Sequence, residues 1–226
     1  MNSPAELARH IQHTRIETGL TREQMIAHCE ECVTYGFDAA MVAGSWVPLA
    51  VDVLKGTGIT VASALDFPTV GAMTTAGKAA EAAELVRLGA EQIDIGVQVG
   101  WLRSGRFDDF RDDIAAVVKA AGVPIKVMLE LPLLTPAERE AAVALSVEAG
   151  VAYVKNASSG AVGVATPEDI RFLKERVPAG VKVKASGGIK SYAQAVALLE
   201  AGADRLGTSA GVSIVSGEQV APAVAY

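Results

Sequence analysis

Two kinds of segment take turns along this chain: short, nearly continuous apolar runs of strand length, and longer stretches with apolar positions three and four apart. The short runs are Ile11 to Ile16, Phe37 to Val42, Ile59 to Leu65, Gln92 to Val97, Ile125 to Leu129, Val151 to Lys155, Val181 to Lys184 and Arg205 to Thr208. Phe37 to Val42 is nearly continuous in apolar residues, as a strand covered on both faces should be, and Val151, Tyr153 and Val154 are strand-forming residues. Between them the helical stretches carry their own punctuation. Ser3 caps a short helix to Ala8 with Pro4 at its first position, and Thr21 caps a helix through Val33 with Gly36 after its end. Val47 to Leu54, Ala76 to Leu88, Phe107 to Ala120, Pro136 to Ala149, a helix opening at Thr166 and Pro167, and Ser191 to Ala201 complete the set. Gly89, Gly150 and Gly202 stop three of them.

This alternation gives about eight strands separated by helices, with no linker or composition shift to divide the chain. The joint helix-Gly-Ala-strand recurs as LGAEQIDI, AGVAYVK and AGADRLG. The expectation is an α/β protein, a single TIM (β/α)₈ barrel domain over residues 1–226 with a short N-terminal helix and a C-terminal tail. Periodicity alone does not show closure, so a doubly wound open sheet stays open as the alternative. A length of 226 residues, half of them hydrophobic, suits one compact unit with an aliphatic core. A net charge of −6 provides no basic footprint for nucleic acid or an anionic membrane. The polar first ten residues and the lack of a long uninterrupted apolar run predict a cytoplasmic chain with no membrane partner.

In a barrel the chemistry belongs where strands end, which selects Asp94, Glu130, Lys155, Lys184 and Thr208. Burying an ammonium without a partner costs several kcal/mol unless its pKa falls, so a lysine ending an apolar strand is a candidate for chemistry. Lys155 is the candidate nucleophile, and Lys184, in the similar run VKVKASGGI, is a second cation placed to lower its pKa. A solvated edge position is the ordinary alternative for either. Asp94, among apolar residues, should be paired with a cation or proton-active. Lys126 and Glu130 share strand parity and are expected to face inward as an ion pair. The turns at Gly187-Gly188 and at Gly207-Thr208-Ser209 present backbone amides suited to a phosphate after the last two strands. Cys29 and Cys32 form a C-x-x-C inside a helix with acidic neighbours, an unpromising redox or zinc site, and His10, His13 and His28 do not form a metal cluster by spacing. His13 and Thr14 are placed to line the barrel mouth.

Longer segments carry a resemblance. QHTRI, SWVPLAVDVLKGTGITVASALDFPTVGAMTT, GAEQIDIGVQVGWLRSG, KVMLELPLLT, AYVKNASSG, VKVKASGGIKSY and AGADRLGTSAGVSIV together resemble the deoxyribose-phosphate aldolases, class I (Schiff-base) aldolases on a TIM barrel. The resemblance implies that Lys155 is the Schiff-base lysine, Lys184 the lysine that lowers its pKa, and Asp94 the aspartate of the proton relay. It implies phosphate-binding positions at Gly187, Gly188, Gly207 and Ser209 and a tail tyrosine at Tyr226; Thr14 and Asn156, by their places at strand ends, are further candidate site positions. The implied activity is cleavage of 2-deoxy-D-ribose 5-phosphate to acetaldehyde and D-glyceraldehyde 3-phosphate, with no cofactor and no metal because the iminium is the electron sink. A homodimer is the expected assembly. The chain departs from the family pattern at Gln12, at Met41 to Gly44, at Leu131 and at Asn156 to Ser159, positions read as lying near the pocket. Two alternatives therefore stand beside the leading reading: a Schiff-base aldolase for another deoxy or phosphorylated sugar, and a non-catalytic phosphosugar-binding barrel.

Overall fold

The structure, a computed structural model, describes residues 3–217; the expected C-terminal tail with Tyr226 lies outside them. Eight strands hydrogen-bond in sequence order and the last returns to the first: β1 (Ile11–Arg15), β2 (Ala39–Ala43), β3 (Thr60–Leu65), β4 (Gln92–Gly96), β5 (Ile125–Met128), β6 (Tyr153–Lys155), β7 (Lys182–Ser186) and β8 (Arg205–Thr208). Every pairing is parallel, including β1 with β8, so the sheet is a closed barrel and the open-sheet alternative is excluded.

The helices are α1 (Pro4–Ala8), α2 (Arg22–Tyr35), α3 (Val47–Leu54), α4 (Thr75–Leu88), α5 (Val99–Arg103), α6 (Phe107–Ala121), α7 (Pro136–Glu148), α8 (Pro167–Arg176), α9 (Tyr192–Glu200) and α10 (Gly211–Ser216). The caps read from the sequence at Ser3 and Thr21 are in place, and the structure adds Thr135, Thr166 and Ser191. Ser3, Thr21, Thr135, Thr166 and Ser191 each accept a backbone N–H of the first turn, and Thr21 and Thr135 do so as full capping boxes. The sequence pattern gave no sign of α5 and α10. Each is at most six residues long and neither has a side-chain cap, so no local signal announces them.

Successive strand residues point to opposite faces, and the two faces differ in character. Ile93, Ile95, Val127, Val154, Val183 and Leu206 belong to the main buried cluster shared with Leu85, Phe110, Ile114, Ile170 and Leu198 of the helices. The inward parity is partly apolar, with Ala39, Met41 and Ala62 forming a separate small cluster. It also carries charge. Near the N-terminal ends of the strands Gln12 Nε2 donates to Asp38 Oδ2 and to Gln92 Oε1, both at 2.9 Å, and Arg205 Nε stands 2.8 Å from Asp38 Oδ1. That polar floor leaves the other end of the barrel to open into a cavity.

Candidate active site

Asp94 is the inward residue at the middle of β4, and three lysines converge on it from the next strands round the barrel. Lys184 Nζ donates to its Oδ2 at 2.8 Å and Lys155 Nζ to the same oxygen at 3.1 Å. Lys126 Nζ stands 3.2 Å from Oδ1. Register explains the convergence: Asp94 is level with Lys126, and Lys155 is level with Lys184, so two adjacent levels of the barrel interior contribute. The expected pairing of Lys126 with Glu130 is not found. The chain leaves the strand geometry after β5, and Glu130, at φ 53°, turns its carboxylate to the backbone N–H of Ser158 at 3.0 Å. Shared parity held for Lys126 and ended before Glu130.

One carboxylate faces three amines in a space with little water. Burial alone would raise the Asp94 pKa, but the ammonium groups of Lys184, Lys126 and Lys155 overcome it and hold the carboxyl well below the usual carboxylate range. Burial is also the main cause that draws Lys184 down to about 7; repulsion from Lys155 and Lys126 adds to it, and the Asp94 charge opposes it. Lys126 is lowered for the same reason. Near neutral pH the cluster therefore holds an amine ready to give up its proton. Exposure separates the three lysines: Lys155 retains 6 %, Lys184 1 % and Lys126 none. Lys155 and Lys184 line the cavity, whereas Lys126 lies beneath them with its Nζ 5.5 Å from the centre of the Tyr153 ring.

The cavity encloses about 1270 Å³ and reaches the glycine turns after β7 and β8. Gly187, Gly188, Gly207 and Ser209 all line it, as do Asp94 and Thr14. The two turns form one cradle: Thr208 Oγ1 donates to Ile189 O at 2.7 Å and accepts from Ala210 N at 3.0 Å. Glycine is required at Gly187, and at Gly207 a side chain would displace the end of Lys184. A Cβ on Gly187, at φ 105°, would stand 2.3 Å from Gly163 O, and one on Gly207 would stand 2.9 Å from Lys184 Cε.

Other expected positions are placed differently. Asn156 is not a lining residue. Its Oδ1 accepts from Ser186 N at 2.8 Å and its Nδ2 donates to Ser186 O at 2.9 Å, which ties the end of β6 to the end of β7. Gln12 belongs to the polar floor, so the departure there does not touch the pocket. Of the altered positions, Met41, Ser158 and Ser159 do line it. Thr14 Oγ1 donates to Gln12 O. Cys29 and Cys32 are buried free thiols, and burial raises both, Cys29 to about 11. Lys126 is the member of the charge cluster whose partner the sequence did not reveal; its parity with Asp94 on neighbouring strands was the available signal.

No family model matches the sequence. Curated relatives do. The chain is 43% identical to the deoxyribose-phosphate aldolase of Methanothermobacter thermautotrophicus over 213 residues, covering 94% of this chain and 95% of that one. The chain belongs to the deoxyribose-phosphate aldolase family. A second deoxyribose-phosphate aldolase, from Brevibacillus brevis, is 42% identical over 210 residues, 92% of this chain and 95% of that one. Among solved structures, the tetrameric deoxyribose phosphate aldolase of Aeropyrum pernix superposes with a TM-score of 0.88 at 29% identity, covering 96% of this chain and 92% of that one. Similarity to aldolases of this family thus runs along nearly the whole barrel, including the strands that carry the lysines.

Proposed function

We propose that the protein is a class I aldolase that cleaves 2-deoxy-D-ribose 5-phosphate to acetaldehyde and D-glyceraldehyde 3-phosphate. The observation that carries the reading is the meeting of Lys155 and Lys184 on one oxygen of Asp94 at the wall of a cavity. Lys155 Nζ, the most accessible amine of the cluster, adds to the C1 aldehyde of the open-chain sugar and loses water to form an iminium. The 3-hydroxyl gives up its proton toward Asp94 and Lys184, and the C2–C3 bond breaks, because the electron pair at C2 is the one the iminium can accept. Glyceraldehyde 3-phosphate leaves. The enamine takes a proton at C2, and hydrolysis releases acetaldehyde and restores the free amine. The turns containing Gly187, Gly188, Gly207 and Ser209 hold the phosphate. Membership of the family supports this substrate, as do glycine turns that open into the same cavity as the lysines.

The same proposal places the enzyme in the cytoplasm, a setting in keeping with its two free cysteines, and gives it a homodimeric assembly. A coupled assay for glyceraldehyde 3-phosphate with purified protein and 2-deoxyribose 5-phosphate tests the activity. Turnover that is lost in Lys155→Ala supports it; equal turnover in that variant overturns it.

Met41, Ser158 and Ser159 favour a second reading, in which the same Schiff-base chemistry serves a different deoxy or phosphorylated sugar. A panel of aldehyde donors and phosphorylated acceptors separates the two by which pair gives the highest kcat/KM.

A further inference from the structure

On the outer side of β1 three ligand-type side chains meet that the aldolase chemistry leaves unused. His28 and Glu31 stand three residues apart on α2 and so share a helix face, and His13 of β1 packs against them. His13 Nε2 is 3.1 Å from Glu31 Oε2. The His13 and His28 rings lie 4.7 Å apart, centre to centre, tilted by 36°. One ligand atom from each of the three residues falls within 4.8 Å of the others.

An ion pair of His13 with Glu31 explains one of these contacts and leaves the rest without a reason. His28 is 0 % exposed, and among the described residues neither of its ring nitrogens has a hydrogen-bond partner of good geometry; main-chain groups of Met41 and His13 act on the ring without meeting that standard. His13 Nδ1 is also buried and has no partner among the described residues. Two buried ring nitrogens of His28 that meet main-chain groups only in poor geometry, beside a buried His13 Nδ1 without a partner among the described residues, are uncommon in one place in a folded protein.

We propose that His13, His28 and Glu31 form a binding site for one divalent cation of the zinc type. Two imidazoles and one carboxylate are the ligand set that borderline transition ions select, whereas magnesium and calcium prefer oxygen throughout. Ligand atoms bound to a zinc ion at its usual distances of about 2.0–2.2 Å stand roughly 3.3 Å apart. The pair His13 and Glu31 already has that spacing, and the third ligand atom lies within 4.8 Å of both, so binding draws a histidine ring inward. His13 and Glu31 both line the large cavity, which gives the ion an entry path. The spacing of the histidines along the sequence conceals the site, because one ligand comes from a strand and two from the following helix. Bound there, the cation fastens α2 to β1.

The test is uptake of zinc by full-length protein stripped with a chelator, read by competition with a chromophoric chelator and by thermal unfolding. The proposal expects one equivalent per chain and a rise in Tm of about 5 °C or more at a hundredfold excess over Kd. E31Q keeps a hydrogen-bonding partner for His13 and is expected to fold; it should weaken zinc binding at least about tenfold, as should H28N. A C29S/C32S variant, which removes the neighbouring thiols, should bind as well as the parent. Uptake well below one equivalent, uptake unchanged in both E31Q and H28N, or uptake lost only in C29S/C32S would each overturn the assignment.

Discussion

Among the described residues Asp94 is the one carboxylate within 4 Å of the amines of Lys126, Lys155 and Lys184, and its removal should cost more than any of the pairs taken alone. Asp94→Asn keeps the shape and leaves the ammonium groups uncompensated in a buried space. The expected loss is about 3–5 kcal/mol of stability, read by urea unfolding, along with loss of most activity. The lowered lysines also set a direction for pH. Lys184, at about 7, takes up a proton below that value, the free amine is lost, and kcat/KM should fall as pH drops through 7 and level off above it. A flat profile between pH 6 and 8 would contradict this. At the same scale, Asp94, Lys155 and Lys184 stood out in the sequence because each sits in an apolar run at a strand end, although a solvated edge is the ordinary place for such a lysine. Partners were less legible. Lys126 was assigned to Glu130 from parity on one strand, but a carboxylate on the adjacent strand stands closer than one four residues along, past the point where the strand ends.

The strands and helices position this chemistry through their ends. Asn156 crosses from the end of β6 to the end of β7 with two hydrogen bonds. Asn156→Ala should strand a backbone N–H and C=O of Ser186 and cost about 2 kcal/mol, with a drop in kcat because Lys155 is the neighbouring residue. Gly207→Ala tests the packing of β8 on the cluster. Its new methyl would press on Lys184 Cε, so activity should fall several-fold or more while the circular dichroism spectrum stays that of the parent. Caps made the longer helices readable, since Thr and Ser at N-caps and Gly at helix ends are local signals. The short α5 and α10 carry no such signal. Neither does the turn at Glu130, where a non-glycine residue takes a left-handed conformation, and that turn decides where the carboxylate points.

Over the molecule as a whole, what the sequence could not display was closure and the level at which each inward residue comes to rest. The run of strands and helices fits a barrel or an open sheet, and the pairing of β1 with β8 decides between them. The same closure moves Gln12 to the floor and Met41 to the pocket, although both are departures from the family pattern. Burying amines has a consequence for global stability. A lysine at about 7 in the folded chain and at about 10.4 when unfolded binds fewer protons folded than unfolded between those values. Stability from this group therefore increases as pH rises through that window, by up to about 1.4 kcal/mol per pH unit, and below pH 7 the full cost of burial remains. Differential scanning calorimetry should show a steeper rise in Tm from pH 7 to 9 for the parent than for Lys184→Met.

Cleavage by this route requires Lys155 to be the amine that attacks a carbonyl. Incubation with 2-deoxyribose 5-phosphate or acetaldehyde, reduction with borohydride and peptide mass spectrometry test this directly. The expected result is a stable added mass on the peptide containing Lys155, absent without substrate and absent in Lys155→Ala. An adduct on Lys184 or Lys126 in its place, or folded protein that turns over the sugar phosphate with no trapped adduct, would contradict it.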